Sequence, residues 1–218
     1  MTPTPDLRAR VLGAIRQEPA PVRAVVARRS ALAFALAFLP MIVFETYDLH
    51  LGARPFGFVV ANVAGWALLA FVATWGALGR GRSMLGRPRG WLAAIALALP
   101  PLLLGVAALA YGPWPAAMGN DCGGPGDFKC CAATLAFAIG PLAGFAYARR
   151  ESDPVHPKLT GAALGASAGA WSAVSMAIHC PFTSIRHVVI GHVAPVIAFA
   201  LIGVLIGSRI IGVRSRDA

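Results

Sequence analysis

The chain has 218 residues, of which 57% are hydrophobic and only 13% charged, and it carries a formal net charge of +10. A water-soluble domain has about 25% charged residues, so a soluble globular fold is excluded and an integral membrane protein is expected. The positive charge would also suit nucleic acid, but its distribution along the chain follows membrane topology instead.

Residues 1–30 are expected to form a cytoplasmic segment. Asp6 is a good N-cap type, and Leu7, Val11, Leu12 and Ile15 fall at helical spacing with Arg8, Arg10 and Arg16 on other faces. The pattern predicts a short amphipathic helix. Pro19 and Pro21 break it, and Val22 to Arg29 leads into the bilayer. Such a segment serves either as a basic anchor on anionic lipid or as a docking element for a protein, and the pattern leaves both open. No cleavable signal peptide is expected, because the apolar run starts only at Ala31.

Six apolar stretches follow, each near the length of about 20 residues that crosses a hydrocarbon core of about 30 Å. They run Ala31–Tyr47, Phe56–Leu78, Trp91–Tyr111, Cys130–Ala148, Leu159–His179 and His187–Ile211. The expected fold is all-α: an integral membrane bundle of six transmembrane helices over residues 31–211, with a short basic tail at 212–218. The first stretch is the weakest, since Pro40 interrupts it and Glu45 ends its apolar run. Of the 19 Lys and Arg, all but Arg54, Lys129 and Arg186 fall before the first stretch, after the second, after the fourth, or at and beyond the end of the sixth. The positive-inside rule then places both termini in the cytoplasm. A nucleic-acid patch would not alternate loop by loop, so no direct nucleic-acid contact is expected.

The fifth stretch carries Gly161, Gly165 and Gly169 beside Ala162, Ala166 and Ala170, and the sixth carries Gly203 and Gly207. Small-residue stripes let backbones approach where lipid gives no hydrophobic drive. Packing within one chain is the expected use, and a homodimer is the other assembly they allow. Pro195 is expected to kink the sixth helix. Gly165 to Gly169 also reads G-x-S-x-G, but Ser167 would lie about 18 Å below the outer edge and His192 about 7 to 8 Å below it. That depth difference forbids a nucleophile–base pair, no strand precedes the serine, and no enzyme is expected. Intramembrane charges usually mark translocation paths, and no buried charge is expected within the second to sixth helices, which argues against a transporter.

Ligand-type residues collect at the outer edge: Glu45, Asp48 and His50, then Cys122, Cys130 and Cys131, then His179, Cys180, His187 and His192. If that side is a bacterial periplasm it is oxidising and permits disulfides, and Cys180 can pair with Cys130 or Cys131. Thiolates with imidazoles also suit zinc or copper(I), with His179, Cys180, His187 and His192 as candidate ligands. His187 and His192 stand about 140° apart on an α-helix and are not expected to share an ion. Structural disulfide, redox switch and metal site all stay open on this reading.

The run Cys131 to Pro141, then Gly165 to Ala170, then Ala177-Ile178-His179-Cys180-Pro181 followed by His187, His192 and a glycine-rich closing helix, resembles the NrsF-like negative regulators. These are six-helix inner-membrane anti-sigma factors, and CarR-like anti-sigma factors share the architecture. The stretch Ala14 to Arg29, with Pro21-Val22-Arg23, is similar to the family's cytoplasmic segment. The resemblance implies that this segment holds an extracytoplasmic-function sigma factor at the membrane until a stress signal releases it. Leu7, Val11, Leu12, Ile15 and Arg23 are then the sigma-binding residues. By position it assigns the family's two membrane-edge cysteines to Cys131 and Cys180, where a periplasmic redox or metal signal would be sensed. The sequence departs in carrying Cys130 and Cys122 as well, and in reading Pro181-Phe182-Thr183 where the family pattern has an acidic residue. The alternative expectation is a small metal-handling or transport protein that uses the same Cys and His cluster.

Overall fold

The computed structural model describes residues 54–79, 87–113, 123–150 and 155–212, together with 28, 31–32, 34–35, 37–39 and 41–43. Leu7, Val11, Leu12, Ile15, Arg23, Glu45, Asp48, His50 and Cys122 lie outside the described residues. Among the described residues every regular element is a helix. The helical positions between 28 and 43 constitute α1; α2 is Phe56–Leu78, α3 Arg89–Tyr111, α4 Gly123–Ala148 and α5 Pro157–His179. The last helix, α6, runs Ile185–Ile211. Five of the six, α2 to α6, are long and apolar enough to cross a membrane.

The helix starts follow proline chemistry. A proline in the first turn sacrifices only an N–H that has no intrahelical partner, so Pro157 opens α5 and Pro125 sits inside the first turn of α4. This corrects the expectation that the fourth helix starts at Cys130. The Gly-Gly-Pro-Gly run from Gly123 to Gly126 reads as loop, yet it belongs to the helix, and Asp127 is thereby brought onto the same helix as Cys130.

α5 is the central helix. Of its membrane-crossing window 89% is buried inside the protein, against 28 to 44% for the other four. Its sequence explains why, because small residues at every position but Leu164 from Thr160 to Ala170 leave room for neighbours. Two apolar clusters flank it, one built on Trp66, Leu103 and Val196, the other on Phe145, Leu164 and Phe199. Large apolar side chains such as Leu97, Leu109 and Leu205 stay exposed on the outer helices, as a lipid-facing surface requires. The polar handles of buried aromatics are satisfied internally: Trp66 Nε1 donates to the Leu103 carbonyl at 2.9 Å and Trp171 Nε1 to Thr74 Oγ1 at 3.0 Å.

The glycine stripes meet each other within the chain. A Cβ on Gly161 would lie 2.0 Å from the Gly203 carbonyl oxygen, one on Gly165 1.9 Å from that of Phe199, and one on Gly207 2.2 Å from that of Pro157. No real Cβ tolerates such distances, so these glycines fix a backbone-to-backbone seam between α5 and α6. Ser167 is fully buried and donates to the Ala163 carbonyl at 2.8 Å, an intrahelical bond that leaves its G-x-S-x-G a packing feature.

Candidate functional site: a thiol and imidazole cluster

Three elements converge where α5 ends. α4 brings Asp127, Cys130 and Thr134; an extended turn after α5 brings Cys180; and α6 brings His187 and His192. Ser184 caps the start of α6 by accepting from the His187 backbone N–H at 3.2 Å. Arg54, outside α2 in sequence, donates to the Ala177 and Ile178 carbonyls at 2.7 and 2.6 Å. A cation at a helix C-terminus satisfies orphan carbonyls and complements the dipole, so Arg54 holds the last turn of α5. Burial pulls its guanidinium pKa below the ordinary value, an effect that Cys180 opposes.

The cluster itself is tight. His187 Nδ1 lies 2.8 Å from Asp127 Oδ1, His187 Nε2 lies 3.0 Å from Cys180 Sγ, and the Cys130 and Cys180 sulfurs are 3.6 Å apart. An ionised carboxylate only accepts, so with Asp127 ionised and His187 neutral, Nδ1 is the donor and the Nε2 lone pair faces the sulfurs. Asp127, Cys180 and His187 are 1%, 3% and 0% exposed. Arg186 stands outside them, its Nε 3.5 Å from Asp127 Oδ2. Hydrogen bonding to the Cys130 sulfur, then burial, pushes the Cys180 thiol up.

A π-helical turn over Val188–Val193 rearranges the start of α6. Pro195 has no N–H for the carbonyl four residues back, that of Gly191, and its ring would clash there; the wider i→i+5 turn makes room for the ring. Thr134 Oγ1 sits 2.8 Å from the orphaned Gly191 oxygen. Residues five apart stack in such a turn, so the His187 and His192 rings meet edge to face at 5.1 Å. This corrects the α-helical expectation of about 140° between them. His192 also packs against Trp66, and its Nδ1 is buried with no hydrogen-bond partner.

The sulfur that reaches Cys180 belongs to Cys130. Cys131, the next residue on α4, points about 100° further round the helix and is half-buried; it is not among the three donors, Cys130, Cys180 and His187, whose ligand atoms all lie within 4.8 Å of one another. His179 is buried as the last residue of α5 but is outside that group, and so is His192. Asp127 and Arg54 are site residues that sequence reasoning missed. Asp127 had a signal, since Asp-x-x-Cys places two side chains on one helix face, but only once α4 is known to start before it.

A family model described as negative regulator of sigma F matches residues 9–212. The chain belongs to the NrsF family. No curated protein and no solved structure matches it. As an NrsF protein it is a negative regulator of a sigma factor, from a family of regulators rather than enzymes, and a sigma factor is the partner its family name implies. In this NrsF protein the thiol and imidazole cluster lies at the turn that joins α5 and α6, the two helices of the glycine seam.

Proposed function

We propose that the protein is a membrane-bound anti-sigma factor of the bacterial inner membrane. Its cytoplasmic residues 1–30 hold an extracytoplasmic-function sigma factor away from RNA polymerase, and a periplasmic redox or metal signal at the cysteine cluster releases it. The observation that carries this reading is the family match over residues 9–212, joined to a cluster that ties α4 to the α5–α6 turn. A new bond or ion between Cys130 and Cys180 changes how α4 sits against that turn. A seam of glycines with no side chains to interlock transmits such a shift along α5 and α6 toward the opposite end. Moving a sigma factor from mostly bound to mostly free requires about a 10⁴-fold change in affinity, about 5.5 kcal/mol, within the reach of a covalent or metal link.

Transport is the weaker reading on the same residues. Among the described residues the buried charges, Arg54, Asp127 and Arg149, lie at or near helix ends rather than along a crossing path.

The test is co-purification of the sigma factor with the full-length protein in detergent and with a variant lacking residues 1–30. Full-length protein retains it and the truncated protein, still folded, does not. A sigma factor equally retained by both would move the contact off the N-terminal segment.

A further inference from the structure

Two features of the cluster exceed what a disulfide needs. A pair of sulfurs suffices for a disulfide, yet here a buried imidazole is aimed at both by a buried carboxylate. The cavity bordering Cys180, bounded by Arg54, Asn62, Tyr111 and His192, holds only about 10 Å³, room for about one water and none for a substrate on which a Cys–His–Asp nucleophile could act.

We propose that Cys130, Cys180 and His187 form a binding site for one thiophilic d¹⁰ metal ion of the zinc class, with Asp127 as the residue that orients the imidazole. Two thiolates and one imidazole are a zinc or copper(I) donor set and offer no oxygen for a hard cation. Two sulfurs bound tetrahedrally at about 2.3 Å from zinc stand about 3.8 Å apart; the Cys130 and Cys180 sulfurs stand 3.6 Å apart. A metal-binding histidine nearly always donates its other ring N–H to a carboxylate or carbonyl, which fixes the tautomer, and Asp127 takes that position at 2.8 Å. Gly191 keeps the space clear, since a Cβ there would be 3.3 Å from both His187 Nε2 and the Cys130 Cβ. Three protein ligands leave one coordination position open, which suits an exchangeable signal better than a permanent brace.

Binding follows from the donor geometry, while its role as the releasing signal rests on the anti-sigma reading. The experiment therefore separates them. Full-length protein in lipid nanodiscs, reduced and kept anaerobic, is titrated with Co²⁺ and then with competing Zn²⁺, following thiolate-to-cobalt charge-transfer absorption. The reduced protein takes up one Co²⁺, and Zn²⁺ displaces it. Cys130→Ser and Cys180→Ser abolish the band. Asp127→Asn keeps the band and the one-to-one stoichiometry but binds 10- to 100-fold more weakly, a pattern that a merely structural defect does not produce. Cys131→Ser and His179→Asn, folded controls for the other candidate ligands, leave the titration unchanged. No cobalt–thiolate band in reduced wild type, or a band that survives Cys130→Ser, overturns the site. In parallel, sigma factor co-purified on the nanodiscs is followed as Zn²⁺ is added. Release in wild type but not in Cys180→Ser supports both statements, whereas full metal binding with no change in retention leaves the site standing and removes metal as the signal.

Discussion

Pro195 withdraws a proton that the Gly191 carbonyl needs, and Thr134 Oγ1, 2.8 Å away on another helix, replaces it. The same hydroxyl lies 2.8 Å from the Cys130 carbonyl one turn before it, so one proton is shared between two acceptors. Thr134 is fully buried, and an unsatisfied buried carbonyl costs about 1 to 3 kcal/mol. Thr134→Val, which keeps the shape and removes the hydroxyl, is expected to destabilise the bundle by that amount in thermal unfolding in detergent, and Thr134→Ser to recover most of it. At this scale the sequence displayed the ingredients without their arrangement. Cys130, Cys180 and His187 are legible as ligand types, but choosing Cys130 over Cys131 requires the rotation of α4, and pairing His187 with His192 requires a π turn that no α-helical spacing anticipates. The position-by-position family resemblance pointed to Cys131, and a single residue of register separates it from the sulfur that meets Cys180.

Among elements, the α5–α6 seam was the most legible, since four-residue glycine spacing on two successive apolar stretches has few other uses. Its consequences are open to measurement. Gly165→Leu drives a side chain into the Phe199 backbone, where a Cβ alone would be at 1.9 Å, and backbone cannot swing aside as a flexible side chain does. Overpacking of this kind costs about 1 to 3 kcal/mol or more, so a large drop in the unfolding midpoint is expected. Gly105→Ala is the matched control. Nothing lies within 4 Å of the Cβ it would add on α3, and replacing a mid-helix glycine by alanine is expected to leave stability unchanged or raise it by about 0.5 to 1 kcal/mol. Helix starts were the least legible elements. Pro125 hid the first turn of α4 because glycine and proline usually punctuate loops, and with that turn went Asp127.

For the molecule as a whole, charge sets the expected orientation. Sixteen of the 19 basic residues, all except Arg54, Lys129 and Arg186, fall on one expected side, and under the positive-inside rule that side is expected in the cytoplasm. Alkaline phosphatase, active only after export, is therefore expected to be inactive when fused after Ala218 and active when fused after Asn120; the reverse pattern would put the cysteines in the cytoplasm. Five of the six expected crossings are long, apolar helices in the order that hydropathy gives, but which helix occupies the middle could not be read from it. That place went to the least hydrophobic of the five spans, Pro157–His179, because close approach among helices is governed by side-chain size. Order of synthesis then matters. The helix against which α2, α3 and α4 all pack is made after them, and at about 5 to 20 residues per second the stretch from Ala148 to His179 takes roughly 2 to 6 s to translate. For those seconds the earlier helices of each nascent chain wait without the common partner that later buries them.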